Sequence, residues 1–363
     1  MEKRLRILVL NQDFPPMGGG ASPASYELAK GYAKLGHKVD VVTMHFKGLP
    51  FFEKKDGINI CRVKCLRSKK ELTHPWELLS YIHSAKKFLR NHLKSNNYDI
   101  CHCHFIIPTG VIALWLKKEY NLPYIITAHG SDVLGYNKRF KYLYPFLVGR
   151  WKEIVRESKF IISPSKFLGN KINELIQKDI IVIPNGIDSN KFRPLKKEKM
   201  ILVVAKFSPN KGIQDILDAL KGVDLGCWKV DIVGEGSYRP VIEKKIRENG
   251  LSDSVKLHGW VDNNSRKMKD LYGHASIFIS ASHFENMSIV LLEALASGCY
   301  VIAANVGGNP EVISKKNLFE AQNIEDLRRK ILVAIKQKMP KKSLLDKRFN
   351  WSMITKKYNE VLR

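Results

Sequence analysis

Short apolar runs alternate with longer amphipathic segments along the chain, and this alternation restricts the fold more than any other feature. In the first half, segments 24–35 and 78–91 have the apolar spacing of helices. The runs that predict strands there are residues 6–11, 38–43, 58–63, 99–104, 124–129 and 160–164. Strands separated by helices are typical of βαβ units around a parallel sheet. The sequence therefore predicts an α/β fold.

The same pattern starts again after the Asn185-Gly186 turn and the charged, proline-containing segment 189–199. The strand patterns of the second half are residues 200–205, 229–234, 254–259, 277–280 and 300–304, and the helix patterns are 212–220 and 288–297. A chain of 363 residues is also about twice the usual size of one domain. We therefore expect one domain in residues 1–189 and a second α/β domain from residue 190 onward.

The composition is that of a globular protein, with 44% hydrophobic and 26% charged residues. The longest apolar run, residues 105–116, is shorter than the ~20 residues that span a bilayer and is interrupted by Pro108 and Gly110. The apolar stretch at residues 7–10 is too short for a signal peptide, so we expect a cytoplasmic protein. Its six cysteines have irregular spacing, which does not indicate a disulfide framework.

The run Cys101-His102-Cys103-His104 has the residue types of a metal site. However, it lies in a predicted strand, where alternate side chains point to opposite faces of the sheet. A zinc site needs ligands that converge on one ion. The sequence therefore predicts no metal site here.

The charge is strongly basic, with a formal net value of +26. Between Lys54 and Lys94 there are eleven basic and three acidic residues. Such a surface attracts polyanions, including phosphorylated substrates, anionic lipid headgroups and nucleic acids. A solvated, lysine-rich surface that only aids solubility is the alternative interpretation.

In open α/β sheets, ligands bind at the carboxyl ends of strands, where helix N-termini present amide groups. Gly18, Gly19 and Gly20 follow the first predicted strand, and a helix is expected to begin near Ser22. Backbone amides without a side chain beside them can approach an anionic ligand closely. A flexible turn without a ligand is the alternative interpretation of this triplet.

Two further loops have polar residues in the same position. His129 follows a strand of the first domain, beside Gly130, where its side chain would face the ligand site. Lys206 and Lys211 flank a Pro-Asn turn after the first strand of the second domain. Lysine ammonium groups suit a diphosphate, but a chain with 61 Lys and Arg residues also has lysines in loops by chance.

Two glutamates near the predicted helix 288–297 are the most informative residues. Glu293 is the only charged residue in that helix, which Ser288 would cap and Gly298 would end. A buried carboxylate needs hydrogen-bond donors such as ligand hydroxyls. Glu285 precedes the helix, beside its positive N-terminal end and close to any bound phosphate-sugar. The alternative is two glutamates that face solvent.

These motifs, in this order, resemble the retaining glycosyltransferases of family 4, or glycosyl transferases group 1, which have the GT-B fold. Glu285 and Glu293 match the family's E-x7-E motif, and Lys206 and Lys211 match the Arg and Lys of its G-R-x-x-x-x-K-G loop. The other matches are residues 14–20 (P-P-x-x-G-G), 129–130 (H-G), 184–188 (P-N-G-x-D), 307–311 (G-G-x-P-E) and 349–362 (the final helix).

The resemblance extends nearly from end to end and implies two Rossmann-like, doubly wound parallel-sheet domains that face a central cleft. The domain of residues 1–189 would bind the acceptor, and that of residues 190–347 would bind a nucleotide-sugar. The segment 348–363 would form a helix that returns to the N-terminal domain.

The resemblance also implies a role for each matching residue. Glu285 would stabilise an oxocarbenium-like transition state, and His129 would contact the sugar at the reacting region. Glu293 would bind the ribose, and Val261 and Glu235 would lie near the base. The residues implied for the donor diphosphate are Lys206, Lys211, Gly19, Gly20, Ser288 and Ile289. No metal or other cofactor is expected, since the lysines would neutralise the leaving diphosphate.

Two departures from the family pattern affect the donor site. Lys206 stands where the family has a bidentate arginine, although a lysine still supplies positive charge. Asn286-Met287-Ser288 stands where the family usually has G-F-G after the first glutamate. We expect this second change to alter how the donor sugar fits.

The function implied by the resemblance is transfer of a sugar, with retention, from a UDP- or GDP-sugar to a hydroxyl acceptor. The acceptor would be a lipid-linked, polysaccharide or other glycan intermediate at an anionic cytoplasmic membrane face, with no nucleic acid involved. Because no opposed nucleophile is evident, a front-face reaction in which the leaving phosphate takes the acceptor proton is favoured. The alternatives are a hydrolase or epimerase on this fold, and an inactive basic GT-B protein that binds membrane or nucleic acid.

Overall fold

The computed structural model describes residues 3–19, 21–70, 73–136, 142–340 and 342–363. The chain divides into two compact units. The N-terminal unit ends at Gly186 and also includes the C-terminal segment Trp351–Arg363. The C-terminal unit is Ile187–Asn350.

The N-terminal unit has an eight-stranded sheet in the order β3-β4-β2-β1-β5-β6-β7-β8. Every neighbouring pair is parallel except β3 and β4, which form an antiparallel edge. The strands are β1 (Arg6–Leu10), β2 (Lys38–Met44), β3 (Phe52–Lys55), β4 (Ile58–Val63), β5 (Ile100–His104), β6 (Tyr124–Thr127), β7 (Phe160–Ser163) and β8 (Ile180–Val182). Since β1 pairs with both β2 and β5, the strand order changes direction at β1.

Both faces of this sheet are buried, as expected of parallel strands covered by helices. Leu8 and Leu10 of β1 face one apolar core, while Ile7 and Val9 face another. The helices of the unit are α1 (Ala21–Lys34), α2 (Pro75–His92), α3 (Thr109–Tyr120), α4 (Tyr144–Glu157), α5 (Lys166–Asn173) and α11 (Trp351–Leu362). The last of these helices packs against α1, where a Cβ on Gly31 would collide with Thr355.

The C-terminal unit has a parallel six-stranded sheet in the order β11-β10-β9-β12-β13-β14. Its strands are β9 (Glu198–Val204), β10 (Lys229–Val233), β11 (Val255–Gly259), β12 (Ala275–Ser280), β13 (Tyr300–Ala304) and β14 (Leu318–Phe319). Its helices are α6 (Ile213–Leu220), α7 (Arg239–Glu248), α8 (Arg266–His274), α9 (Ile289–Ala296) and α10 (Ile324–Ile335). Two apolar cores cover this sheet, with Ile201 in one and Leu202 in the other.

The structure confirms the α/β prediction, and each predicted strand is present with ends within two residues of the prediction. The strands that the sequence pattern did not indicate are β3, β8 and β14. These are short or exposed: β3 is a polar edge strand, and β14 has two residues. Among the described residues, no helix is long and apolar enough to cross a membrane.

Candidate functional site

The carboxyl edge of the C-terminal sheet brings several of the predicted residues together. The strand order changes direction at β9, which pairs with β10 on one side and β12 on the other. Ligands of doubly wound sheets bind at such a switch point, outside the carboxyl ends of the strands. The loops that follow β9 and β12 carry Lys211 and Glu285.

Lys211 and Glu285 form an ion pair in which the lysine Nζ donates to the carboxylate Oε1. Both side chains are partly buried, at 27% and 14% exposure. The two loops are tied together by the backbone as well, because His283 N donates to Asn210 O over 2.9 Å. A Cβ on Gly212, which has φ +65°, would collide with the carbonyl of Ala281. Only glycine allows this close approach of the two loops.

A second glycine turn holds the Glu285 loop from its other side. Gly308 N donates to Asn286 O over 2.7 Å. A Cβ on Gly307 would collide with the carbonyl oxygen of Glu285. The G-G-x-P-E segment therefore acts as a backbone support for Glu285 and its neighbours.

Glu293 is nearly fully buried in α9, with 3% exposure. Its Oε2 accepts from Tyr272 Oη over 2.7 Å, and its Oε1 accepts from Asn263 Nδ2 over 2.8 Å. Burial raises the pKa of this carboxyl, and the two hydrogen bonds lower it in part. Glu293 is thus buried as predicted, and the hydrogen-bond donors that its carboxylate needs are Tyr272 and Asn263 of the protein itself.

The helix that carries Glu293 has the predicted ends. Ser288 is at the N-cap position and Gly298, with φ +72°, follows the C-cap residue Ser297. The prediction that the Ser288 side chain caps the helix is wrong, because this side chain makes no cap hydrogen bond. The backbone amides of the first turn, including Ile289, lack intrahelical acceptors and are suited to an anion.

Lys206 and Glu235 lie on neighbouring loops of the same edge. Phe207 N, next to the exposed Lys206, donates to Glu235 O over 2.9 Å. The Glu235 carboxylate pairs with Arg239 over 2.7 Å. The loops after β10 and β11 are also joined, since Gly234 N donates to Gly259 O over 2.9 Å, and half-buried Val261 follows two residues later.

In the N-terminal unit, the glycine-rich loop follows β1 as predicted. Gly18 has φ +89°, and a Cβ there would lie against Asp13. Its amide donates to Lys70 O over 3.0 Å. Gly19 is exposed, with no heavy atom near its Cβ position, and Gly20 lies outside the described residues. A buried Arg67 pairs with Asp13 over 2.7 Å and supports this loop.

His129 lies two residues beyond β6 and is held by its neighbours. Its backbone N donates to Asp132 Oδ1 over 2.9 Å, and the other oxygen of Asp132 accepts from Ile106 N over 2.7 Å. The Nε2 atom of His129 lies 3.1 Å from Nδ1 of His104. Burial lowers the pKa of His129 to about 3, so the ring is neutral at physiological pH.

The Cys-His-Cys-His strand has its side chains on alternating faces. His102 and His104 lie on one face, with tilted rings whose centroids are 4.4 Å apart, and Cys101 and Cys103 lie in the apolar core of the other face. Within the described part of the chain, no group of three or more His, Cys, Asp or Glu residues could hold a metal ion.

Sequence reasoning missed the partners of the predicted residues. Tyr272 and Asn263 are 21 and 30 residues from Glu293 in sequence, so only the fold brings them to it. Asp132 gave a local signal, because an aspartate three residues after His129 is placed to accept its amide. The orienting contact from His104 had no sequence signal beyond its position at a strand end.

Comparison with known proteins agrees with this architecture. Residues 18–191 match the family model described as Glycosyltransferase Family 4, and residues 186–352 match Glycosyl transferases group 1. Sucrose-phosphate synthase from Thermosynechococcus elongatus has the same fold, with a TM-score of 0.81, 20% identity and coverage of 99% of this chain and 98% of that one. Anabaena HepE in complex with UDP and glucose superimposes with a TM-score of 0.76, at 17% identity and 99% coverage of both chains.

The molecule is thus a GT-B protein with two parallel-sheet α/β domains. A glycosyltransferase of Methanocaldococcus jannaschii that is itself uncharacterised is 30% identical over 78% of this chain and 81% of its own length. The chain belongs to glycosyltransferase family 4, a retaining family that uses nucleotide-sugar donors and typically needs no metal.

Proposed function

We propose that the C-terminal unit binds the nucleotide-sugar donor, with the sugar near Glu285 and the ribose at Glu293. The observation that carries this proposal is the pairing of Glu285 with Lys211 beside a helix that contains buried Glu293. A partly buried cation, a partly buried carboxylate and a helix N-terminus together suit a phosphate-sugar. All of them lie at the carboxyl edge of one sheet.

The donor diphosphate is proposed to contact both loop lysines and the amides at the start of α9. Exposed Lys206 makes no ion pair in the described part of the chain, and Lys211 is oriented by Glu285. Amides of Ser288 and Ile289 add donors that point along the helix axis. In the N-terminal unit, Gly19 and Gly20 are the proposed backbone contacts.

Glu293 is proposed to accept hydrogen bonds from the ribose hydroxyls. Tyr272 holds one carboxylate oxygen within the buried core, while Asn263, which holds the other, belongs to an exposed loop. An exposed amide can give way to a ligand hydroxyl more easily than a buried phenol. The base is proposed to lie against Val261 and Glu235, at the ends of β11 and β10.

The proposed reaction is a front-face transfer. The bond between the anomeric carbon and the diphosphate oxygen breaks while the acceptor oxygen bonds to the same face of that carbon. The acceptor proton passes to the leaving phosphate, and Lys206 and Lys211 stabilise the charge that develops on it. Glu285 and neutral His129 are proposed to contact the sugar, the glutamate stabilising its oxocarbenium character.

The donor is proposed to be a UDP- or GDP-sugar. Support for UDP comes from Anabaena HepE, whose structure contains UDP and glucose. Asn286 and Met287 stand where the family usually has G-F in its G-F-G motif, so the hexose pocket differs from the usual one. A thermal-shift screen tests the proposal directly: UDP-, GDP- and ADP-sugars are added to the wild type, Glu293→Ala and the control Glu325→Ala, whose carboxylate is 76% exposed.

A nucleotide-sugar at 100 times its dissociation constant stabilises the protein by about 2.7 kcal/mol. We expect one nucleotide class to raise the melting temperature of the wild type and the control but not of Glu293→Ala. A shift in all three proteins would place the nucleotide elsewhere. No shift with any nucleotide-sugar would favour an inactive protein that binds membranes or nucleic acids.

The acceptor is proposed to be a lipid-linked or polysaccharide intermediate at the cytoplasmic face of an anionic membrane. Large apolar side chains are exposed on two helices of the N-terminal unit: Trp76 (58%) and Leu79 (67%) on α2, and Phe146 (84%) on α4. Lys69 and Lys87 are exposed near or on α2. Exposed apolar side chains and exposed lysines in one unit suit binding to an anionic lipid surface.

Vesicle sedimentation tests whether these exposed side chains bind lipid. Vesicles of anionic phospholipid should bind the wild type at low salt, and vesicles of neutral phospholipid should bind it weakly. Replacing Trp76, Leu79 and Phe146 by serine should abolish the binding, while a control with Phe52→Ser, 62% exposed on the edge strand, should retain it. Equal binding of all proteins, or none by the wild type, would remove the membrane from the proposal.

A further inference from the structure

His104 and His129 share one hydrogen bond between two neutral rings. Nδ1 of His104 lies 3.1 Å from Nε2 of His129, and the rings stack with centroids 5.3 Å apart. Burial lowers the pKa of both histidines, to about 3 for His129 and well below the ordinary value for His104. A neutral imidazole has one N–H and one acceptor nitrogen, so only one ring donates in this contact.

The other nitrogen of His104 decides which ring donates. His104 is 2% exposed, and its Nε2 has no hydrogen-bond partner among the residues that the structure describes. If His129 donated, the proton of His104 would lie on this buried Nε2 without an acceptor. Buried N–H groups without an acceptor are rarer than buried acceptors without a donor. The arrangement with the proton on His104 Nδ1 avoids the unpaired donor.

We propose that His104 is a positioning residue that fixes the tautomer of His129. His104 donates its Nδ1–H to Nε2 of His129, and His129 therefore carries its own proton on Nδ1. The backbone restrains His129 in the same pose, because Asp132 accepts its amide and also that of Ile106, two residues beyond His104. The ring of His104 itself packs against the tilted ring of His102 and the stacked ring of His129.

This tautomer determines what His129 is able to do. Its Nε2 is occupied by the bond from His104 and does not accept a proton from a substrate. Its Nδ1–H is a hydrogen-bond donor, suited to an oxygen of the sugar or the phosphate. In this respect the inference rests on the proposed function: His129 binds and orients the donor as a neutral N–H group, and the acceptor proton goes elsewhere.

Long-range ¹H–¹⁵N NMR of the full chain labelled with ¹⁵N-histidine measures the tautomer without any substrate. The spectrum of His129→Gln identifies the His129 signals among those of the 11 histidines. We expect the wild type to show a protonated Nδ1 and an unprotonated Nε2 at His129. A protonated Nε2 at His129 would overturn the proposal.

Three variants separate the hydrogen bond from the packing. His104→Phe keeps a stacked ring without a donor, and we expect His129 to populate both tautomers. His104→Asn places an amide donor near the former Nδ1, and the single tautomer should return. His102→Phe is the matched control, because buried His102 bonds to Tyr32 and Thr127 and its ring packs against that of His104 from another position. If His104→Phe leaves the tautomer unchanged, His104 does not fix it.

Kinetics with the nucleotide-sugar found in the screen give a second readout. His104→Phe should lower kcat about tenfold, the rate equivalent of one lost hydrogen bond, with little change in the donor KM. His104→Asn should recover most of that loss. Equal losses in both variants would show a packing role only. Since the NMR result needs no donor, the tautomer stands or fails independently of the proposed function.

Discussion

At the scale of single residues, the buried carboxylate of Glu293 destabilises the folded protein but is held in place by hydrogen bonds. Burial raises the pKa of its carboxyl, so the charged form is destabilised in the folded protein. Tyr272 and Asn263 offset part of this cost by donating to the two oxygens. A neutral side chain of the same shape would cost less free energy to bury. Replacing Glu293 by glutamine should therefore make the protein more stable and less active.

We predict that Glu293→Gln unfolds with a free energy about 1 kcal/mol higher than the wild type at pH 7. The folded pKa is raised, so the folded state binds the proton more tightly and wild-type stability falls as pH rises through that pKa. The variant has no such dependence, and its advantage should shrink as the pH is lowered. Urea unfolding of the two proteins at pH 7 and pH 5 measures the stability difference and its dependence on pH.

The same variant should bind the donor nucleotide about tenfold more weakly or worse, because hydrogen bonds to a charged acceptor are lost. Glu325→Gln, at an exposed position of α10, is the control and should change neither property by much. A Glu293→Gln protein that is less stable at pH 7 and binds nucleotide normally would show that this carboxylate serves only the core.

The sequence predicts Glu285 and Lys211 from their positions in loops after strands and Glu293 as the only charged residue of its helix, and all three match motifs of the family that the chain resembles. It does not predict that Lys211 and Glu285 are bonded to each other, 74 residues apart, nor that Tyr272 holds Glu293. These contacts depend on which strands are neighbours and how deeply each loop is packed. A sequence pattern shows neither which strands are neighbours nor how deeply a loop is packed.

At the scale of elements, two glycine turns support the Glu285 loop. Gly212 approaches the backbone of Ala281 before the loop, and Gly307 approaches Glu285 itself. These glycines are needed for close contact as well as for their backbone angles. This distinguishes them from Gly222, which also has a positive φ but has no heavy atom within 4 Å of its Cβ position.

We predict that Gly212→Ala destabilises the protein by about 3 kcal/mol, from backbone strain and from displacement of the Ala281 carbonyl. It should also weaken nucleotide binding, because Lys211 and Glu285 would separate. Gly222→Ala, with φ +72° in open space, should cost about 1 kcal/mol and leave binding unchanged. Denaturant unfolding and nucleotide titration of both variants check this. If both variants lost the same stability and bound nucleotide equally well, backbone strain at positive φ would account for the loss and the contact with Ala281 would not contribute.

A partly buried lysine joins the ends of three elements in the C-terminal unit. Lys197 Nζ donates to the carbonyls of Gly273, Ala275 and Ser297 over 3.0, 2.7 and 2.7 Å. Gly273 belongs to α8, Ala275 begins β12, and Ser297 follows α9. The lysine thus connects the helix of Glu293 to the strand that precedes the Glu285 loop.

We predict that Lys197→Met destabilises the protein by about 2 kcal/mol, since the carbonyl of Ser297 would lose its lysine donor. Gly273 O keeps the amide of Leu195, whereas Ala275 O keeps only a weak thiol donor from Cys299. The neighbouring Lys196 is exposed, so Lys196→Met should change stability by less than about 0.5 kcal/mol. Thermal unfolding of the two variants decides the matter. Comparable stabilities would show that water replaces the lysine.

The elements that sequence patterns predict are those with a clear pattern of apolar residues. The central strands β1 and β9 are buried on both faces over the continuous apolar runs 7–10 and 200–203. The missed strands lack that signal: β3 is exposed and charged, and β8 is only partly buried along its length. Their pairing comes from the neighbouring strand rather than from their own sequence.

At the scale of the whole molecule, each unit repeats one design, a sheet whose strand order changes direction at its first strand. In both units the loop after that first strand carries predicted ligand contacts, glycines in one and lysines in the other. The C-terminal helix α11 belongs to the N-terminal unit, so the chain returns to the domain in which it began. The positions of these two loops therefore follow from one rule about parallel sheets, while the roles of their residues come from the family resemblance.

Calorimetric titration of a nucleoside diphosphate into the full chain tests the central claim most directly. The nucleotide is the one selected by the thermal-shift screen, and the proteins are the wild type, Lys211→Ala, Glu293→Gln and the control Glu325→Gln. We predict one site in the wild type and control, with affinity at least about tenfold weaker in the other two. Equal affinity in all four proteins would contradict a donor site at the carboxyl edge of the C-terminal sheet.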